Sequence, residues 1–134
     1  MKTIKSLYIV DDDKIYHFLF KNLLKQNDIN VETTFFCNGY DAIEFIRKNK
    51  DDVEMPDLIL LDVNMPIMNG WQFLEEYEKM VKDFDKKPII YMISSSNSEV
   101  DISKSKDFDG LVKDYYLKPI CREDLEKMFV LEEV

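Results

Sequence analysis

The sequence predicts an α/β domain built on a five-stranded parallel sheet, doubly wound, with helices on both faces. Two observations carry this. Short apolar runs suited to strands alternate with longer stretches whose apolar residues recur about every 3.6 positions, as in helices. Three of the runs, Leu7 to Val10, Leu58 to Leu61 and Ile89 to Ile93, are continuously apolar, as expected of parallel strands covered on both sides.

Taken in order, the first strand covers Leu7 to Val10, and Ile15, Phe18, Leu19 and Leu23 form a helical stripe expected to face the sheet. The second strand, Val31 to Phe36, is more polar and is placed at an edge. Asn38 and Asn69 each precede a glycine and a helical pattern, where their side chains can accept from the free N–H groups of a first turn. The third strand is Leu58 to Leu61, and the helix after it carries Leu74, Tyr77, Val81 and Phe84 on one stripe. Ile89 to Ile93 is the fourth strand. Between Ser94 and Gly110 only Val100, Ile102 and Phe108 can anchor a helix, which is expected to be short and loosely held. A fifth strand leads to Lys118, and the last helix opens at Cys121 with a capping-box spacing to Asp124, although cysteine is a weak cap. Five strands in strict alternation with five helices, joined by right-handed crossovers, complete the prediction.

The chain of 134 residues has room for one domain, taken as 1–134, and no apolar run approaches the roughly 20 residues a membrane helix needs. Its start, Met1 to Lys5, runs straight into the first strand without a targeting pattern, so a cytoplasmic location is expected. The net charge of −9 disfavours nucleic acid and anionic membranes and points to proteins or cations as partners. Cys37 and Cys121 lack metal-ligand spacing and read as reduced thiols.

In an open parallel sheet, ligands gather beyond the carboxyl ends of the strands. Asp11, Asp12 and Asp13 follow the first strand, Asp62 the third, Ser94 the fourth and Lys118 the fifth. Each alone has a plain explanation, since Asp13 can simply cap a helix and Lys118 can be a solvated lysine. Their coincidence at one rim is the signal. Clustered carboxylates raise one another's pKa unless a cation lies between them, and an oxygen-lined site of this kind suits Mg²⁺. A carboxylate can also accept a phosphoryl group, a transfer that depends on positive charge around the oxygens. His17 is given no chemical role, and Trp71 at the start of the third helix reads as packing.

The segments Val10-Asp11-Asp12-Asp13, Leu61-Asp62-Val63-Asn64-Met65-Pro66 with Met68-Asn69-Gly70, and Tyr116-Leu117-Lys118-Pro119 resemble the acidic, phosphorylation-site and lysine-proline motifs of two-component response-regulator receiver domains. The resemblance covers essentially the whole chain and is to the single-domain, chemotaxis-regulator type. It implies a flavodoxin-like fold with strand order 2-1-3-4-5. It makes Asp62 the phosphoacceptor, Asp12 a direct Mg²⁺ ligand, Asp11 a ligand through water, and the Asn64 backbone carbonyl a further ligand. Lys118 would pair with the phosphoryl group, Ser94 would be the switch hydroxyl and Tyr115 the aromatic that moves with it, and the Lys118–Pro119 bond is commonly cis in this family. The resemblance also puts Asn64 and Ser96 at the two positions that in this family tend to tune phosphoryl lifetime.

The phosphoryl donor implied is a sensor histidine kinase or a histidine phosphotransfer protein. The chain stops after the fifth helix, so output is expected through the face of the fourth helix, fifth strand and fifth helix, toward an unknown protein target. A monomer or a weak phosphorylation-dependent dimer is expected, and no enzyme activity beyond the domain's own phosphorylation and dephosphorylation. Two other readings compete: a haloacid-dehalogenase-like phosphatase with Asp11 as nucleophile, and a receiver-like binding module that is not phosphorylated.

Overall fold

The computed structural model describes residues 4–48, 55–82, 84, 87–95, 102–104, 106–108 and 110–130. The strands are β1 (Ser6–Val10), β2 (Glu32–Phe36), β3 (Leu58–Asp62), β4 (Ile89–Ser94) and β5 (Val112–Leu117). Between and after them lie the helices α1 (Lys14–Gln26), α2 (Gly39–Lys48), α3 (Gly70–Val81), α4, of which residues 102–104 are described, and α5 (Arg122–Val130). The sheet runs β2-β1-β3-β4-β5 with all four pairings parallel, so the polar strand β2 is indeed at an edge. This is the doubly wound flavodoxin-like order.

Strand alternation splits the core into two layers. Tyr8, Val10, Ile59, Leu61, Ile90 and Met92 point to one face, where Ala42, Ile43 and Ile46 of α2 and Phe73, Leu74 and Tyr77 of α3 cover them. Leu7, Ile9, Leu58, Leu60, Tyr91 and Ile93 point to the other, against Tyr16, Phe20 and Leu24 of α1 and Leu125, Met128 and Phe129 of α5. Each fully buried aliphatic or phenyl side chain contributes about 1.5–3 kcal/mol. Burial on both faces is why β1, β3 and β4 read as unbroken apolar runs.

The stripe foreseen on α3 is correct: Leu74, Tyr77 and Val81 are buried and Phe84 packs beside them. The stripe foreseen on α1 is not. Ile15, Phe18 and Leu19 are 72%, 63% and 56% exposed, and the line Tyr16–Phe20–Leu24 faces the sheet instead, with Leu23 only partly buried. Apolar residues occupy two lines on this helix, one position apart, so periodicity alone allows two rotational phases. The helix start selects one. The Asp13 N–H donates to Asp11 Oδ1 at 2.9 Å, and Asp13 Oδ1 accepts from the N–H groups of Ile15 (2.9 Å) and Tyr16 (3.2 Å). This turn fixes the direction in which α1 leaves β1 and sends the Tyr16 line inward.

Both asparagine caps form. Asn69 Oδ1 accepts from Gln72 N–H while Gln72 Oε1 accepts from Asn69 N–H, each at 2.9 Å, and Asn38 Oδ1 accepts from Asp41 N–H at 2.8 Å. At Cys121 the box is carried by Asp124, whose Oδ2 accepts from the Cys121 N–H (3.1 Å) and thiol (3.3 Å), which explains how a cysteine serves there. Both cysteines are free and exposed. At the opposite end of the sheet the buried Asp57 accepts from the N–H groups of Lys5 (2.7 Å) and Ser6 (3.1 Å), tying the start of β3 to that of β1. Most of the segment from Ser96 to Ser105, including Ser96 and Val100 and with them the short, loosely held helix expected there, lies outside the described residues.

Candidate functional site

The ladders continue one residue past the strands and fix the rim. Asp11 N–H donates to Phe36 O (2.9 Å), Val63 N–H to Ile93 O (3.0 Å) and Lys118 N–H to Ser94 O (2.8 Å). Register then aligns Val10 with Leu61, Asp62 with Ile93 and Ser94 with Leu117. Asp11, Asp62, Ser94 and Lys118 thus sit side by side at the carboxyl edge, as their positions after the strands predict.

Alternation sorts them further. Asp11 follows Ile9, Asp62 follows Leu60 and Lys118 follows Tyr116, all on the α1/α5 face, so these three converge. Lys118 Nζ donates to Asp11 Oδ2 at 2.7 Å and lies 3.5 Å from Asp62 Oδ1. Ser94 follows Met92 on the other face, where Tyr115 packs partly buried against the α2/α3 layer. The two residues foreseen as a switch therefore share a face with each other. The Lys118–Pro119 bond is cis.

Asp11, Asp12 and Asp62 each offer a carboxylate oxygen within 4.8 Å of the others. Asp11 and Asp62 are buried whereas Asp12 is exposed, so a cation could enter from the Asp12 side. Asp13, by contrast, is spent on capping α1. Asn64, two residues beyond Asp62, is exposed at the same rim.

The electrostatics follow from burial. Burial, with the charge of Asp11 next, pushes the Asp62 carboxyl up to about 7, against the pull of Lys118. Burial also works against the charge of Lys118, but its hydrogen bond to Asp11 and the charge of Asp62 outweigh it and hold the ammonium above its ordinary pKa. One ammonium thus leaves this acidic cluster under-neutralised. Hard oxygen donors with excess negative charge fit Mg²⁺.

Gly70 explains the end of the motif after Asp62. A Cβ there would lie 2.5 Å from the Asp62 carbonyl oxygen, 3.0 Å from Met92 Cε and 3.1 Å from Val63 Cα, and the Gly70 N–H donates to Val63 O at 2.9 Å. Only glycine lets α3 start this close to β3. Trp71, next in line, is buried and stacks on Phe108 at 6.1 Å, with Lys104 Nζ 5.8 Å from its ring, so it packs as expected. His17 packs its ring against Phe35, with centroids 4.8 Å apart and the planes tilted by 33°.

One residue of the site escaped the sequence reading. The Tyr16 ring lies under Lys118, its centroid 4.5 Å from Nζ. The available signal was its place in the first turn of α1, since helical side chains lean back toward the N-terminus and so toward the acidic rim. Two hollows, of about 480 and 390 Å³, share Asp28, Ile29, Asn30 and Val31 in the α1–β2 connection and include no rim residue. The charged groups gather on an open rim instead.

Residues 7–130 match the family model described as response regulator receiver domain. The chain belongs to this family. Among curated relatives, a protein-glutamate methylesterase/protein-glutamine glutaminase of Desulfotalea psychrophila is 33% identical over 89% of the chain, which spans 30% of that protein. Response regulator Rcp1 of Synechocystis sp. is 29% identical over 92% of the chain and 83% of Rcp1, and the Mn²⁺-bound crystal structure of Rcp1 superposes with a TM-score of 0.70 at 28% identity, covering 92% and 88% of the two chains. A two-component response regulator from Cytophaga hutchinsonii superposes with a TM-score of 0.83 at 27% identity, covering 95% of each chain. Some relatives are thus much longer proteins in which this unit is one part. The receiver of two-component signalling is the function these similarities carry, and nothing in them favours the haloacid-dehalogenase-like reading with Asp11 as nucleophile. No helix among the described residues is long and apolar enough to cross a membrane.

Proposed function

We propose that residues 1–134 act as a single cytoplasmic receiver that accepts a phosphoryl group on Asp62 from a histidine kinase or histidine phosphotransfer protein. The observation that carries this is the convergence on the Asp62 carboxylate of a second buried acid, an exposed acid and one ammonium. Asp11, Asp12, Asp62 and the Asn64 backbone carbonyl would hold Mg²⁺, in keeping with the Mn²⁺-bound form of Rcp1. Bound there, Mg²⁺ supplies positive charge to the transferring oxygens.

The chain's own residues do the rest. An Asp62 oxygen attacks phosphorus as the donor's phosphorus–nitrogen bond breaks, and the histidine nitrogen leaves with the bonding pair. Lys118, already 3.5 Å from Asp62, pairs with the incoming oxygens. Ser94 then donates a hydrogen bond from its hydroxyl to a phosphoryl oxygen from the opposite face, and Tyr115, on that face, follows it. This carries the change to the surface of α4, β5 and α5, where a protein target would bind.

Incubation with acetyl phosphate and Mg²⁺ tests the proposal: intact mass should rise by one phosphoryl group in the wild type and stay unchanged in Asp62→Asn. A wild type that gains no mass at saturating donor rules it out and leaves the unphosphorylated binding module.

A further inference from the structure

We propose that Tyr16 is a positioning residue for Lys118, its ring face holding the ammonium beside Asp62. The geometry is a three-sided seat: Asp11 Oδ2 at 2.7 Å, Asp62 Oδ1 at 3.5 Å and the Tyr16 ring centroid at 4.5 Å from Nζ. An ammonium over an aromatic face is attracted by the ring quadrupole, and more strongly where water is excluded. Both partners meet that condition, since Tyr16 is buried and the Lys118 side chain is only 17% exposed.

The ring differs from the other two sides in what else is asked of it. Asp11 belongs to the carboxylate cluster that fits a divalent cation, and Asp62 is the acid that takes on the phosphoryl group, so both have competing uses for their oxygens. The ring has none. It keeps the amine at the rim while its charged partners are redistributed.

The hydroxyl is not the working part. It is buried without a hydrogen-bond partner among the described residues, so it does not explain a tyrosine at this position. The ring does. A phenylalanine should therefore serve as well as the native residue, and an aliphatic side chain should not.

The inference rests on Asp62 being the phosphoacceptor only for its kinetic test; a second test reads the seat directly. In metal-free protein, side-chain NMR should find the Lys118 ε-protons shifted upfield by the ring in wild type and Tyr16→Phe, and not in Tyr16→Leu or Tyr16→Met. In the kinetic test, the initial rate of Asp62 phosphorylation by acetyl phosphate at saturating Mg²⁺ should stay near wild type in Tyr16→Phe. It should fall about ten-fold in whichever aliphatic variant keeps the wild-type circular dichroism. Lys118 shifts that are the same with and without the ring overturn the proposal, as does a folded aliphatic variant with the wild-type rate. A phenylalanine variant as slow as the aliphatic one also overturns it. If the wild type takes up no phosphoryl group, the function fails but the NMR comparison still decides the seat.

Discussion

Gly70 lies against the backbone of Asp62 so closely that a single added methyl would reach 2.5 Å from the Asp62 carbonyl oxygen. The close contacts are mostly backbone, at Asp62 and Val63, so the side chain cannot be fitted by a rotamer change. Either α3 must back away or the end of β3 must bend. Gly70→Ala is expected to cost about 1–3 kcal/mol through overpacking, despite alanine's better helix propensity, and to slow phosphorylation of Asp62 by displacing its carboxylate. Urea unfolding together with the acetyl phosphate rate checks both; unchanged values in the two would mean that the contact is easily relieved.

Asp12 is the exposed member of the carboxylate cluster, and it makes no ion pair among the described residues. Asp12→Ala should leave thermal stability in EDTA within about 0.5 kcal/mol of wild type, as for an ordinary surface change. Its Mg²⁺ affinity, read by calorimetry, should fall at least ten-fold. Equal affinities would remove Asp12 from the ligand set.

The raised pKa of Asp62 has a consequence for stability that is opposite in sign to that of an ordinary ion-paired carboxylate. Its folded value of about 7 lies above the ordinary value of 3.8, chiefly because of burial and the neighbouring Asp11. Between those two values the unfolded chain has released the proton and the folded chain still holds it. Stability contributed by this group is therefore full below pH about 4 and is lost as pH rises toward about 7. Asp62→Asn has no proton to lose. In EDTA its melting temperature should exceed that of wild type by more at pH 8 than at pH 5, with a free-energy difference on the order of a few kcal/mol. A gap that is the same at both pH values would show that Asp62 is not held protonated by the fold.

Much of this was legible from residue order alone. The carboxyl-edge rule and the strand runs located Asp11, Asp62, Ser94 and Lys118, because a parallel sheet brings every strand end to one rim regardless of separation in sequence. What was not legible depended on rotation about an axis. On α1, apolar residues line two adjacent stripes, so Ile15, Phe18 and Leu19 looked inward when they are exposed, and Tyr16 went unnoticed beneath Lys118. The clamp of Asp57 on the N–H groups of Lys5 and Ser6 was hidden too, since it joins residues about fifty positions apart through a side chain, and no local pattern records it.

Ile67, five residues past Asp62, adopts φ of 69°, a left-handed value that β-branched side chains rarely occupy. The Met68 N–H donates to Pro66 O at 2.7 Å across it, which makes Ile67 the centre of a tight three-residue turn. The residue is 77% exposed, so little burial compensates the strained backbone. The left-handed conformation costs a residue with a Cβ about 1–2 kcal/mol, while glycine's extra freedom in the unfolded chain costs about 0.5–1 kcal/mol. Ile67→Gly should therefore stabilise the protein by about 0.5–1 kcal/mol in urea unfolding, and Ile67→Ala, which keeps the Cβ, should gain nothing. Because the turn lies between Asp62 and the cap of α3 at Asn69, relief of strain that leaves the turn in place should not alter Mg²⁺ affinity. A glycine variant that is less stable than wild type would mean that the exposed isoleucine makes contacts whose worth exceeds the strain.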